Sequence, residues 1–221
     1  MYDILVQYHG MLIDGVTTTL TVSLCAIWLG MLAGLCLAFG LLSRHVWIKR
    51  LSGFYRSIWR GTPILIQLLV AVELPPLLGL NVSPLVPAIA ALALNTAAFQ
   101  GEIYRAGLAA IPSGQSEAAR MLGMHTLAIR RRILVPQMFR LTMPSLVNEI
   151  INIVKNSSLI SVIAVTDLMR VGQQISANTF RPMDSYLAVG ALYLIINLGL
   201  AIVGVLAERH FGRGLTTRSG S

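Results

Sequence analysis

Six polar side chains fall on one side of an apolar stretch in the carboxyl third of the chain. At 100° per residue, Ser145, Asn148, Glu149, Asn152, Lys155 and Asn156 lie within an arc of about 120°. Ile150, Ile151, Ile153 and Val154 fill the remaining surface. An ammonium group flanked by amides is suited to hold a carboxylate by charge-assisted hydrogen bonds. An ionisable side chain in lipid is costly, so Lys155 is a candidate binding group. In an earlier apolar stretch Asn95, Phe99 and Glu102 share a face, at spacings of four and three. Glu102 there is placed to meet a cationic group or to form part of an inner gate. Arg105, one turn below, is expected to reach towards the lipid headgroups. The alternative is structural: Lys155 pairs with Glu149 or Glu102 to hold helices together, or the polar face marks a dimer seam.

Covalent chemistry has little support. His9, His45, His125 and His210 are scattered, with no metal-ligand spacing and no nucleophile–base set. Cys25 and Cys36 both lie in the first apolar stretch, where cysteine packs as a small hydrophobe.

The elements that must carry these residues are membrane helices. Only 12% of the 221 residues are charged and 55% are hydrophobic, with a mean hydropathy of +0.72. A soluble domain carries about 25% charge. The apolar stretches predict an all-α membrane protein of five transmembrane helices, at about 16–42, 61–78, 86–108, 141–165 and 186–207. The first is too long for a signal h-region and lacks a basic n-region. Its Ala26, Gly30, Gly34 and Ala38 recur every four residues, a smooth ridge for a close helix neighbour. Glu73 and the Pro75–Pro76 pair predict a turn at the far end of the second span, and Pro84 and Pro87 open the third. No internal repeat is visible.

The net charge of +8 reports topology rather than nucleic acid. Basic residues cluster in segments 44–60, 120–140 and 209–218, read as loops and a tail between the spans. Segment 166–184, read as another loop, holds only Arg170 and Arg181. The positive-inside rule then puts the amino end (1–15) outside, in the periplasm, and the tail (211–221) in the cytoplasm.

The segment Ile111 to Pro136 predicts two short cytoplasmic helices. Glu117-Ala118-Ala119 begins the first and Gly123 stops it; Thr126 is an N-cap type for the second, which Pro136 ends. By composition, Arg130, Arg131 and Arg132 would anchor it at the headgroups. Glu117, Ala118, Ala119, Gly123, Ile133 and Pro136 resemble the EAA loop of permease subunits in bacterial ATP-binding-cassette importers, with Val135 where leucine is usual. Arg60-Gly61-Thr62-Pro63 with Gln67, Glu102 with Arg105, Gly114-Gln115, Pro136-Gln137, Asn156-Ser157-Ser158-Leu159 and Thr179-Phe180-Arg181-Pro182 extend the likeness. They are similar to the polar amino-acid uptake branch over about residues 15–210.

The resemblance implies a type I importer permease of the bacterial inner membrane, with residues 109–140 as a coupling loop. Glu117, Ala118, Ala119 and Gly123 would then dock an ATPase. It also implies two ATP-binding subunits, a second permease subunit (identical or homologous) and a periplasmic binding protein. No phosphate-binding G-x-x-x-x-G-K-[ST] occurs, so ATP and magnesium would belong to the partner and no cofactor to this chain. Asn95, Glu102, Asn148, Asn152, Lys155 and Asn156 would line the substrate path. Polar amino acids are the family's usual substrates, with opines or related small zwitterions as the alternative. An ion-gradient-driven carrier or channel would also explain the polar face, but not the connector.

Overall fold

The computed structural model describes residues 2–163 and 165–212, with side chains as far as Arg209. The helices are α1 (Tyr2–Gln7), α2 (His9–Leu41), α3 (Val46–Gly61), α4 (Ile64–Leu77), α5 (Leu85–Ala109), α6 (Ser113–Met121) and α7 (Thr126–Ile129). A π-helical turn, Arg130–Leu134, leads into α8 (Val135–Asn156), which passes into a 3-10 segment, Ser157–Ile163. Two further helices, α9 (Leu168–Thr179) and α10 (Pro182–Gly212), complete the chain, with no strand among the described residues. Arg213 and Arg218 of the expected basic tail lie outside them.

The core forms around α5, because small residues let neighbours approach its backbone closely. The α2 ridge meets it as its spacing predicts: Ala26, Gly30, Gly34 and Ala38 are all buried. A Cβ on Gly34 would stand 3.0 Å from the Gly101 backbone nitrogen, so no larger residue fits without moving a helix. On another side of α5, Gly107 abuts Thr142 and Met138 of α8. Leu68 of α4, Ala91 and Leu92 of α5 and Ile153 of α8 close the upper core.

Three helical segments are long and apolar enough to cross a membrane: His9–Leu41, Thr126–Ile163 and Pro182–Arg209. The pair α3 and α4 qualifies as a fourth, bent by 105° at its break. At 25 residues, α5 spans about 37 Å, but Asn95, Thr96, Gln100, Glu102 and Arg105 lower its hydropathy.

Several segments differ from the sequence expectation. Residues 46–61 form a helix, not a basic loop, and none of its residues is buried. Trp47, Leu51, Phe54 and Ile58 make an exposed apolar stripe, while Arg56 and Arg60 on the opposite side turn towards α5. The basic residues at 44–60 are thus divided between a surface and the bundle, which removes Arg56 and Arg60 from any count of loop charge. Segment 166–184 likewise contains α9, whose Leu168, Val171 and Ile175 are buried at helical spacing. Asp167 caps it, accepting from the Arg170 backbone N–H at 2.9 Å. The Pro75–Pro76 pair lies in the last turn of α4 rather than ending it, and the turn comes at Gly79, with φ +73°. Carbonyls of Leu74 and Pro75 still receive the Leu78 N–H at 3.2 and 3.0 Å, so the helix closes despite the missing donors.

Pro136 does not end a helix either. Proline lacks the N–H and crowds the carbonyl four residues back. The wider π turn before it, closed by the Val135 N–H on the Arg130 carbonyl, relieves both problems. The chain therefore runs as one helical rod from Thr126 to Ile163.

Candidate functional site

The α3–α4 break is built by one missing donor. Pro63 cannot give an N–H to the Trp59 carbonyl, which a continuous helix would require. Gln67 Nε2 takes up that carbonyl at 2.9 Å and Asn95 Nδ2 reaches it at 3.3 Å. Asn95 also donates to Gln67 Oε1 at 2.8 Å, while Gln67 Nε2 lies 2.8 Å from Thr62 Oγ1. Asn95 is buried, and its side chain pins the bend. Asn95→Leu is expected to destabilise the protein by about 1–2 kcal/mol, since it strips partners from a part-buried carbonyl and amide. Thermal unfolding of the purified protein reads this, and an unchanged midpoint would remove Asn95 from the hinge.

Two turns further along α5, Glu102 is held from two sides. Arg105 Nη2 lies 2.6 Å from its Oε1, and Arg56 Nη1 lies 3.3 Å from Oε2. Arg105 thus folds back onto Glu102 rather than reaching outward. The arrangement ties α3 to α5 below the break. One turn nearer the break, Arg60 stands over the Phe99 ring at 5.1 Å, a cation–π contact. Sequence reasoning left Arg56 and Arg60 in a loop, yet their i, i+4 spacing opposite the Trp47/Leu51/Phe54/Ile58 stripe carried the signal.

The polar face of α8 divides in two. Glu149 is buried and accepts from Thr96 Oγ1 at 2.9 Å. Gln100 bonds Thr96 and Tyr104 bonds Gln100, each at 3.1 Å, so a buried hydrogen-bonded ladder extends along α5. Thr96, Gln100 and Tyr104 escaped the sequence reading because isolated polar residues in a small-residue helix carry no periodic mark. By contrast Ser145, Asn148, Asn152 and Lys155 are exposed along one edge of α8, with Asn156 half-buried beside them. Neither Glu149 nor Glu102 pairs with Lys155, which has no ion-pair partner among the described residues. Just beyond it, Ser157 Oγ donates to the Val154 carbonyl at 2.8 Å and Ser158 Oγ to the Lys155 carbonyl at 2.7 Å. These back-bonds compete with the α-helical pattern, and the 3-10 segment begins there.

The connector is equally specific. The Gly123 N–H bonds the Arg120 carbonyl at 2.9 Å and the Met124 N–H bonds that of Ala119 at 3.1 Å. With Gly123 at φ +76°, this is a Schellman termination of α6. The cap of α7 is His125, whose Nδ1 accepts from the Ala128 N–H at 3.3 Å; Thr126 is the first helical residue. Ala119 is buried, whereas Glu117, Ala118 and Gly123 face outward. Around them Met121 is 89%, Leu122 82% and Leu127 69% exposed. Three apolar side chains held out from the end of α6 and from α7 form a patch of the kind that meets another protein. Sequence reasoning had not singled them out.

Residues 26–216 match the family model described as binding-protein-dependent transport system inner membrane component. The chain belongs to that family. The match takes in the hinge, the polar edge of α8 and the connector, and leaves out α1 and the start of α2. The arginine transport system permease protein ArtQ of Bacillus subtilis is 35% identical over 202 residues, covering 90% of this chain and 91% of its own length. The putative glutamine transport system permease protein GlnP of Rickettsia conorii is 32% identical over 213 residues, covering 95% and 98%. The octopine transport system permease protein OccM of Rhizobium meliloti is 35% identical over 206 residues, covering 89% and 84%. Among solved structures, an amino acid ABC transporter crystallised with histidines superposes with a TM-score of 0.84 at 35% identity, covering 93% of this chain and 96% of that one. The membrane location expected from composition agrees with the family's description.

Proposed function

We propose that this chain is the permease subunit of an ATP-driven importer that carries polar amino acids across a bacterial inner membrane. The observation that carries it is the exposed edge Ser145, Asn148, Asn152 and Lys155 on a helix of membrane-spanning length. Polar and charged groups there cannot face lipid and must line protein or water. The outward apolar residues of α2 and α10 supply the lipid face instead, among them Trp28, Leu32, Leu194 and Leu198.

In this proposal the chain crosses five times, with α3–α4 and α5 as the second and third crossings, amino end outside and carboxyl end in the cytoplasm. A second permease subunit covers the polar edge of α8, and substrate passes between them. Lys155 receives the substrate carboxylate, with Asn148, Asn152 and Asn156 as neighbouring donors and acceptors. Asn95 and Glu102 act indirectly, one by fixing the hinge and the other by tying α3 to α5. Two ATPase subunits, holding ATP and magnesium, dock at Glu117, Ala118 and the Met121–Leu122 patch, and an external binding protein delivers substrate. This chain transports and does no bond-breaking chemistry.

The relatives named for arginine, glutamine and octopine divide the substrate class between amino acids and opines. Co-reconstituting the chain with an ATPase and a binding protein of such an importer should give uptake of labelled arginine or glutamine that requires Mg-ATP. Octopine uptake with neither amino acid competing would move the substrate to opines. Equal uptake from the chain alone under an ion gradient would overturn the proposal.

A further inference from the structure

A basic cavity of about 750 Å³ opens where the end of α2, the start of α3 and the α6–α7 connector meet. Arg44, His45, Arg120 and Arg130 line it, with Phe39 and Ile48 among its apolar walls and no acidic residue among the described residues that line it. None of the three arginines has an ion-pair partner among the described residues. Arg130 stands over the Phe39 ring at 4.8 Å, so the ring takes the face of the guanidinium while its N–H edge stays available. The volume lies within the roughly 300–1,000 Å³ of small-ligand sites.

We propose that this cavity binds the phosphate headgroup of an anionic phospholipid, whose acyl chains lie along the exposed stripe of α3. Three unpaired arginines on a partly apolar floor match a phosphodiester joined to hydrocarbon. Leu42 and Ile48 line the cavity, and on the same helix as Ile48 the side chains of Trp47, Leu51 and Phe54 are 64–80% exposed. A soluble anion would have no use for that stripe. Arg50, outside the cavity, stands 5.9 Å from the Trp47 ring of that stripe. Anionic headgroups are drawn to basic pockets between membrane helices in this way. Arg44 belongs to the α2–α3 turn and Arg120 and Arg130 to the connector, so one bound headgroup links the connector to the bundle. The site needs only a bilayer and stands apart from the transport proposal.

Trp47 is a built-in reporter. In a Trp28→Phe/Trp59→Phe background that elutes as the parent does, its fluorescence is quenched by lipids with brominated chains. In symmetric nanodiscs, brominated phosphatidylglycerol should quench at a lower mole fraction than brominated phosphatidylcholine. That preference should fall about fivefold in Arg44→Gln and again in Arg130→Gln, as expected for one basic group near a headgroup. Arg44→Lys should restore it, and Lys49→Gln, an equal loss of charge outside the cavity, should leave it nearly intact. An equal fall in Lys49→Gln would mean unspecific surface attraction and overturn the proposal. Relief of the preference by millimolar glycerol phosphate would make the ligand a soluble phosphate. Loss of the preference once the ATPases are assembled would assign the arginines to that protein instead; either result sinks the lipid site.

Discussion

Gly123→Val is expected to abolish ATP-driven uptake while the protein still inserts and accumulates in the membrane. Gly123 sits at φ +76°, a region that costs an ordinary residue about 1–2 kcal/mol and a β-branched one more. The Gly123 and Met124 N–H bonds that close α6 depend on that backbone turn. Without it, the nine-residue helix loses its stop, and Met121 and Leu122 no longer project together. The bundle contacts around α5 do not involve this turn, so folding in the membrane should survive. Uptake should fall more than tenfold, with stimulation of the ATPase by substrate and binding protein lost in parallel. Gly123→Asn, which tolerates the left-handed region better, should lie between. Full-rate uptake by the valine variant at normal abundance would remove the connector from coupling.

The second large effect is expected from Lys155→Gln. This lysine is exposed, unpaired among the described residues and flanked by Asn152. The substitution keeps a hydrogen-bonding head on a side chain one bond shorter but removes the charge. A charge-assisted hydrogen bond contributes about 1.5–3 kcal/mol, so uptake at low substrate should fall roughly 10- to 150-fold. The loss should appear mainly in KM, with ATP hydrolysis by the assembled complex retained, and Lys155→Arg should recover part of it. A lysine that only seals a subunit seam would instead lower the amount of assembled complex. Normal assembly with unchanged KM would end the substrate role.

Periodic signals were readable from the residues alone. The four-residue repeat of Ala26, Gly30, Gly34 and Ala38 foretold a close helix contact, and Gly123 foretold a helix end. Features that depend on a distant partner were not readable. Nothing near Pro63 in the chain says that Asn95 will collect the Trp59 carbonyl, or that Arg56 will cross to Glu102. Charge misled twice: Arg56 and Arg60 made α3 look like a loop, and Asp167 and Arg170 hid the Leu168/Val171/Ile175 face of α9. Helical spacing puts the polar residues of α8 on one arc, but it cannot tell which edge meets a neighbour. Glu149 went inward because Thr96 awaited it on α5, and Lys155 stayed out because nothing did. Met121, Leu122 and Leu127 were overlooked because apolar residues in an apolar chain attract no notice until the fold leaves them bare.

The rod from Thr126 to Ile163 is gripped near its middle, where Thr142 and Met138 press on Gly107. Ile129 and Lys155 each lie about thirteen residues from Thr142, roughly 20 Å along the axis. Such a rod has no break between the connector and the polar edge, so a displacement of its Ile129 end would be carried along it towards Lys155 instead of being absorbed at a joint.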